Sequence, residues 1–376
     1  METFYNVKKK LGFGCMRLPM IDKETVDNAE FCRMIDAFIE NGFNYFDTAH
    51  NYVGGKSEKA LKECLTSRYP RESYILTDKL STFYFKKKED IRPLFEKQLE
   101  ACGVDYFDFY LMHAQDRNLY EKYKRCEAFE VVSELVREGK VKHMGISFHD
   151  RAEVLEKILS ENPYIEVVQI QLNYVDFEDA SVQSRKCYEV CRKYGKPVIV
   201  MEPVKGGNLV KLPEDAQKIF DDLHGGSNAS YAIRFAASFE GIMMVLSGMG
   251  NMEMMNDNIS YMKDFKPLDE KEREAVDRVC EIFKKLDSIP CTACGYCLVN
   301  CPKELSIPGI FACLNAKKLF NDWNSEYYYS DIHTSEGKRA SDCIKCGKCE
   351  AVCPQHLKIR ELLHEAAETF EKKEEK

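Results

Sequence analysis

The chain has 376 residues, of which 44% are hydrophobic and 31% are charged, a balance typical of a globular protein long enough for two domains. Its formal net charge of −8 argues against a nucleic acid or an anionic membrane as a partner, because both attract basic surfaces. Seventeen cysteines in a chain with no recognisable secretion signal predict metal or redox chemistry before disulfides.

The N-terminal segment indicates no export. Residues 1–15 lack a long apolar core followed by a small-residue cleavage site. The longest apolar stretch, around 241–249, is far too short to span a bilayer. We therefore expect a cytoplasmic protein.

Short apolar runs alternate with amphipathic helical stretches over the first 270 residues. The runs predict strands at 11–18, 44–47, 73–77, 107–113, 141–147, 166–171, 197–201 and 242–247. Helical patterns follow them, for example at 56–67, 88–102, 127–138 and 180–194. Eight strand–helix units predict an α/β fold, a parallel (β/α)8 TIM barrel, in which the site lies at the C-terminal ends of the strands.

Polar residues end four of the predicted strands. Strand two runs into DTAHNY (47–52), strand three into TDK (77–79), strand four ends in LMH (111–113), and strand five ends in GIS (145–147). The DTAxxY segment, the lysine and the histidine have the order and spacing of an Asp–Tyr–Lys–His tetrad. In these motifs, residues 5–265 resemble the aldo-keto reductases.

The resemblance implies an oxidoreductase that reduces an aldehyde or ketone with NAD(P)H, or runs the reverse oxidation. Tyr52 is the expected proton donor, but an ordinary tyrosine pKa of about 10 makes it a weak acid. We expect Lys79 to lower that pKa, Asp47 to hold Lys79, and His113 to orient the carbonyl oxygen or assist the proton transfer. Taken singly, each residue is equally well explained as a structural ion pair, a core histidine or a loop tyrosine, so the prediction depends on the constellation.

No Rossmann fingerprint is present, since Gly12-Phe-Gly14 lacks the third glycine. The resemblance instead implies that an extended nicotinamide dinucleotide crosses the barrel top. The positions expected to contact it are Ser147 and Gln169 at the carboxamide, Met201 at the ring, Pro203, Lys205, Gly206 and Gly207 along the pyrophosphate, Ser247, Gly248, Met249 and Asn251 after strand eight, and Asp257 and Asn258 at the adenine.

Three positions depart from the family pattern. Phe148 stands where many members have asparagine, and Met201 stands where many stack a tyrosine on the nicotinamide. Between residues 245 and 259 the chain has no Lys or Arg, whereas members that prefer the 2′-phosphorylated cofactor place one there. A phosphate without a cationic partner is poorly held, so we expect NADH to be favoured over NADPH, with Lys205 or a loop residue as an alternative source of charge.

Two further features at the barrel mouth each have two possible interpretations. Residues 206–226 form a long predicted connection with glycines at both ends, which is either a lid or a plain surface insertion. Arg17, at the end of strand one, either receives an anionic group of the substrate or caps the barrel through ion pairs; we favour the structural role.

Eight cysteines near the C-terminus form two blocks with the spacing C-x2-C-x2-C-x3-C-P, at 291–302 and 343–354. This is the bacterial signature of two 4Fe–4S clusters, in which the fourth cysteine of each block ligates the cluster of the other block. We therefore assign two ligand sets, Cys291, Cys294, Cys297 and Cys353 for one cluster, and Cys343, Cys346, Cys349 and Cys301 for the other. A four-cysteine zinc site leaves four ordered cysteines unexplained.

The expected organisation is a barrel at 1–268, a helical linker at 269–289, and a mainly α-helical two-cluster ferredoxin-like domain at 290–376. Helical patterns at 308–320 and 355–371 favour this helical type. Hydride carries two electrons whereas each cluster accepts one, so hydride does not pass directly from the cofactor to a cluster. We therefore expect the clusters to serve electron transfer, partner docking or structure. Two alternatives remain: clusters that drive electrons into the barrel site, and a non-catalytic redox-sensing subunit.

Overall fold

The computed structural model describes residues 5–178, 182–223, 225–285, 288–289, 291, 295–321, 324–334 and 337–371. These residues divide into two compact units, and the boundary between them falls between Asp277 and Arg278. No helix in the described part of the chain is long and apolar enough to cross a membrane.

The first unit is a closed barrel of eight parallel strands that pair in chain order, which confirms the predicted fold. The strands are β1 (Leu11–Gly14), β2 (Tyr45–Asp47), β3 (Ile75–Leu80), β4 (Phe107–Gln115), β5 (Val141–Phe148), β6 (Val167–Gln171), β7 (Val198–Met201) and β8 (Ile242–Ser247). Because all eight run parallel, their carboxyl ends meet at one rim of the barrel, where the predicted site residues lie.

Helices surround this barrel. They are α1 (Asn28–Glu40), α2 (Ser57–Leu61), α3 (Ile91–Cys102), α4 (Arg117–Arg125), α5 (Ala128–Arg137), α6 (Ala152–Glu161), α7 (Ser184–Lys193), α8 (Glu214–Asp221), α9 (Asn228–Ala237) and α10 (Met252–Met262). The next helix, α11 (Glu270–Lys285), begins in the first unit and ends in the second. A π-helical turn (Lys62–Thr66) extends α2, and 3₁₀ turns occur at Tyr52–Gly55, Arg71–Ser73, Thr82–Tyr84, Lys88–Asp90 and Lys205–Gly207.

Alternation along the strands separates two apolar layers. On β4, Phe109 and Leu111 belong to the cluster inside the barrel, whereas Tyr110 and Met112 pack in the larger cluster beneath the helices. Gly145 on β5 has no room for a side chain, since a Cβ there would lie 2.6 Å from Val167. The interior is therefore a packed core, and only the rim is left for chemistry.

Several predicted boundaries were wrong. Strand one ends at Gly14 and not at residue 18, and β3 extends to Leu80, so that Lys79 lies within the strand. The connection at 206–226 contains the helix α8, which Asn228 pins through hydrogen bonds to Gln217 and to the Val210 oxygen. The predicted helix at 180–194 begins at Ser184, and its first two positions lie outside the described residues.

The second unit is helical in the part that the structure describes. Its helices are α12 (Tyr296–Asn300), α13 (Ile307–Phe320), α14 (Asn324–Tyr327), α15 (Lys348–Ala351) and α16 (Ile359–Phe370), with a π-helical turn at Tyr328–His333 and a 3₁₀ turn at Ala340–Asp342. Both predicted helices are present, although α16 starts four residues later than the pattern suggested. Leu305, Phe311 and Leu363 lie in a small apolar core against which several of the motif cysteines pack.

Candidate active site and metal centre

A buried ion pair joins the carboxyl ends of β2 and β3. The Lys79 Nζ lies 2.5 Å from the Asp47 Oδ1 and donates to the Thr48 oxygen at 2.8 Å, and both side chains are at most 3% exposed. Gln169 on β6 donates to the other oxygen of Asp47 at 3.2 Å. Burial opposes the charge on Lys79, but the Asp47 carboxylate outweighs it and raises the pKa of Lys79, so the ammonium stays charged at neutral pH.

Tyr52 lies directly over this lysine. The Lys79 Nζ is 4.8 Å from the centre of the Tyr52 ring. The chain turns sharply after the tyrosine, because Val53 and Gly54 both have positive φ angles of 51° and 61°. A β-branched residue rarely adopts this conformation, and such strain is commonly found where a side chain must be held at a site.

His113 faces the same tyrosine from β4. The two rings are 6.0 Å apart and nearly perpendicular. The Ser81 Oγ contacts the His113 Nδ1 at 2.6 Å, and burial, with a smaller contribution from Lys79, lowers the pKa of His113 well below its usual value. When the Ser81 hydroxyl donates to Nδ1, the proton of the neutral ring lies on Nε2, which is then free to donate to a carbonyl oxygen.

Sequence reasoning missed Ser81 and the link from Gln169 to Asp47. Ser81 follows β3 by one residue, and an isolated serine in a strand-end loop carries no recognisable motif. Gln169 was expected only at the cofactor carboxamide. Its bond to the carboxylate joins β6 to β2, two strands that are not neighbours in the barrel, so only the closed fold shows it.

Ser147 lies at the same rim, fully buried, with its Oγ accepting the Ala114 amide at 2.7 Å. The other predicted cofactor positions differ in exposure. Gly206, Gly207 and Gly248 are exposed, Ser247 and Pro203 are buried, and the Met249 side chain is fully buried in the outer core. Ser147 and Ser247 lie at the carboxyl ends of β5 and β8, Pro203, Gly206 and Gly207 follow β7, and Gly248 and Met249 follow β8.

The predicted adenine pair is held by internal contacts. Asp257 accepts from the Ser227 hydroxyl at 2.7 Å, which joins α10 to the start of α9. The Asn258 amide donates to the Met254 oxygen at 2.7 Å and accepts from the Tyr261 hydroxyl at 2.8 Å. Asn251 caps α10 by accepting the Met254 amide.

Two cations lie near the predicted pyrophosphate path, and they differ in their partners. Lys205 forms an ion pair with Asp176 at 2.7 Å, so a carboxylate already balances its charge. Arg17 is exposed and lies between the loops after β7 and β8. Its guanidinium is 3.5 Å from the Gly206 oxygen, and a Cβ built on Gly248 would lie 3.7 Å from it. This contact favours neither of the roles suggested for Arg17 from the sequence.

A second buried acidic group lies behind β3. Glu58, Asp78 and Cys102 are at most 1% exposed, and their ligand atoms all lie within 4.8 Å of one another. Burial raises the pKa of Glu58 to about 7 and the pKa of Asp78 well above its usual value. The Glu58 carboxylate raises the pKa of Asp78 further, whereas the hydrogen bond from protonated Asp78 lowers the pKa of Glu58. The two acids therefore share a proton near neutral pH.

This acid pair makes stability depend on pH in a predictable direction. The unfolded pKa of a glutamate is about 4.3, so folded Glu58 binds its proton more tightly, and the stabilisation is lost as the pH rises from about 4.3 through about 7. We expect Glu58→Gln to remove this loss, which is on the order of 2 kcal/mol. Thermal unfolding by circular dichroism at pH 5 and pH 8 measures it. The exposed Glu100→Gln is the control, and an equal pH dependence in both variants contradicts the assignment.

Four of the motif cysteines line one cavity in the second unit. Its walls include Cys301, Cys343, Cys346 and Cys349, and it is open to solvent. The wall thus combines three cysteines of the second block with the fourth cysteine of the first. This donor set suits a 4Fe–4S cluster and is the interleaved set that the spacing predicted.

The other predicted ligand set is described only in part. Cys297 is buried, and Cys291 and Cys353 are half-buried and pack against the same small core. Cys294 lies outside the described residues.

Two family models match this chain. The sequence model of the Aldo/keto reductase family matches residues 10–281, and that of the 4Fe-4S dicluster domain matches residues 290–358. Among curated relatives, the NAD(P)H-dependent D-xylose reductase I,II of Candida tropicalis is 25% identical over 67% of this chain and 83% of its own length. L-galactose dehydrogenase of Arabidopsis thaliana is 23% identical over 73% of this chain and 92% of its own length.

Solved structures share the barrel. The aldo-keto reductase AKR11C1 from Bacillus halodurans, in its holo form, matches with a TM-score of 0.60 at 23% identity, over 74% of this chain and 95% of that chain. An aldo/keto reductase from Klebsiella pneumoniae, in complex with NADP and acetate, matches with a TM-score of 0.60 at 18% identity, over 73% and 95%. The chain therefore belongs to the aldo/keto reductase family, as an oxidoreductase whose barrel is followed by a 4Fe–4S dicluster domain.

Proposed function

We propose that the barrel reduces an aldehyde or ketone, or catalyses the reverse oxidation, with a nicotinamide cofactor. One observation carries the proposal: a buried lysine lies between a carboxylate and a tyrosine ring, and a neutral histidine faces the same tyrosine. A structural ion pair has no need of a tyrosine and a histidine at the same rim, whereas carbonyl reduction needs a proton donor and a group that orients the oxygen.

Each residue has a role that follows from its contacts. Tyr52 donates the proton to the carbonyl oxygen, and the Lys79 ammonium stabilises the phenolate that remains. Asp47 holds Lys79 in place, and Gln169 holds Asp47. His113, fixed by Ser81, donates a hydrogen bond from Nε2 to the same carbonyl oxygen.

The residues around the rim suit a nicotinamide dinucleotide, which supplies the hydride when it is bound. Ser147 and Gln169 are buried polar groups beside the tetrad, and the exposed glycines at 206 and 207 leave room for close approach to the backbone. Arg17 lies between the loops after β7 and β8 and is the cation we assign to the pyrophosphate. The two proposed clusters complete the cofactor set.

The test is cofactor oxidation in the presence of a panel of aliphatic and aromatic aldehydes and ketones. We expect turnover with at least one class, and a KM for NADH several-fold below that for NADPH. The reason is that the 245–259 segment has no Lys or Arg and that Asp176 already neutralises Lys205. A comparable or lower KM for NADPH contradicts the preference, and no turnover with any carbonyl contradicts the activity.

The pH dependence of turnover follows from Tyr52. Burial raises the pKa of its hydroxyl above 10, although Lys79 opposes the shift, so the group stays protonated through the neutral range. The sequence had suggested a lowered pKa; the desolvation of the ring outweighs the lysine in the free protein. We expect kcat/KM for reduction to be flat between pH 6 and 9, and kcat/KM for oxidation, which needs the phenolate, to rise with pH. A limb with a pKa between 6 and 8 in reduction contradicts this assignment.

A further inference from the structure

Basic residues surround the cavity formed by Cys301, Cys343, Cys346 and Cys349. Lys303 and Arg360 line it, Lys345 immediately precedes Cys346, and Lys348 follows the lining residue Gly347. All four cations are exposed, and no acidic side chain lines the cavity. We call these four residues the basic rim.

The charge of the basic rim is mostly uncompensated. Arg360 pairs with Glu350 at 2.7 Å. Lys303, Lys345 and Lys348 form no ion pair with any residue that the structure describes. The chain as a whole has a net charge of −8, so this surface is positive on a protein whose total charge is negative.

The basic rim encloses an apolar and accessible centre. Ile344 is 56% exposed, and Cys346, one of the predicted ligands, is exposed as well. An apolar centre with a charged rim is the usual anatomy of a protein–protein interface. An exposed ligand also brings a bound cluster close to the surface, and electron tunnelling falls steeply with distance.

The motif itself does not require these cations. Between Cys291 and Cys301 the first block has no charged residue at all, and Ala293 and Tyr296 occupy the positions that correspond to Lys345 and Lys348. Cluster ligation therefore does not require a particular residue at these positions, and in the second block both are lysine.

We propose that the basic rim docks a small acidic one-electron carrier protein, which exchanges an electron with the cluster held by Cys301, Cys343, Cys346 and Cys349. In each encounter the reduced carrier would lose one electron and the oxidised cluster that these cysteines would hold would gain it, with no bond or proton transferred. The proposal rests on the ligand assignment made above.

Charge complementarity selects this occupant. An acidic carrier is repelled by most of a chain with a charge of −8 and attracted to the basic rim, so the rim also sets where it docks. Steering of this kind raises association rates by about 10- to 1,000-fold and weakens as salt screens the charges.

The experiment uses the full chain, purified anaerobically, and mixes it in a stopped-flow instrument with a reduced, small acidic ferredoxin. The variant reverses three charges: Lys303→Glu, Lys345→Glu and Lys348→Glu. We expect the second-order rate constant of cluster reduction to fall by about 10-fold or more at low salt, and the rate of the unchanged protein to fall as salt is added. The matched control reverses the exposed barrel lysines 97, 186 and 218 and has the same net charge.

Two further measurements separate the possible failures. Iron and sulfide counts show whether each variant holds its clusters, and reduction by a small, net-neutral viologen shows whether they remain redox-active. The docking proposal is overturned if the clusters are present and reducible by the viologen, but their reduction by the ferredoxin is unchanged by the reversal of the rim charges. An equal loss in the barrel control, or a faster reaction with a basic cytochrome c, also overturns it. A missing second cluster in the unchanged protein overturns the ligand assignment instead.

Discussion

Replacing Tyr52 by phenylalanine is expected to lower kcat for carbonyl reduction by about 1,000-fold, the scale of a lost general acid. The phenyl ring keeps the packing over Lys79 and next to His113, so only the proton donor is removed. NADH affinity should stay within about twofold, since cofactor contacts are expected elsewhere on the rim. Steady-state kinetics and a fluorescence titration with NADH measure the two quantities.

The matched control is Tyr84→Phe. Tyr84 is a half-exposed tyrosine in the loop after β3, and its ring packs edge-on against His50. We expect this variant to keep its turnover within about threefold. A Tyr52→Phe enzyme that retains most of its turnover would remove Tyr52 from the mechanism. Unchanged NADH binding in a protein that never turned over any carbonyl would favour the non-catalytic sensor.

Pairs of cysteine substitutions are expected to distinguish interleaved clusters from clusters held within one block. If the cavity holds one cluster, Cys301→Ala with Cys346→Ala removes that cluster alone and leaves about four irons of eight. Cys346→Ala with Cys353→Ala then damages both clusters and leaves few irons. Iron and acid-labile sulfide counts after anaerobic purification measure the result.

If each cluster is held by the four cysteines of one block, we expect the opposite pattern, because Cys346 and Cys353 then bind the same cluster while Cys301 binds the other. Cys313→Ala serves as the control. Cys313 is 4% exposed in the same small core but belongs to neither block, so its loss should leave the iron count at about eight. A loss of iron in this variant would mean that the count reports general unfolding.

The strand-end motifs were sufficient to predict the barrel and the tetrad. A buried parallel strand appears in the sequence as a continuous apolar run, so a polar residue at the end of such a run is easily recognised. Strand eight was predicted residue for residue, because Gly241 and Gly248 flank it. Strand one was extended too far, since the residues that follow Gly14 look like strand but form a turn in which Cys15 and Leu18 are buried and Met16 is exposed.

The sequence by itself determined the fold class and the two cysteine blocks, and its resemblance to the family supplied the four residues of the proposed tetrad, because all of these depend on local spacing along the chain. Only the tertiary structure decided that Gln169 supports Asp47, that Ser81 supports His113, and that Glu58 lies against Asp78, since these contacts join residues 20 to 122 positions apart. It also reversed the expected direction for Tyr52, because burial depends on what surrounds a side chain. The same holds for the cysteines: their spacing suggested an interleaved ligand set, and packing brought Cys301 into one cavity with Cys343, Cys346 and Cys349.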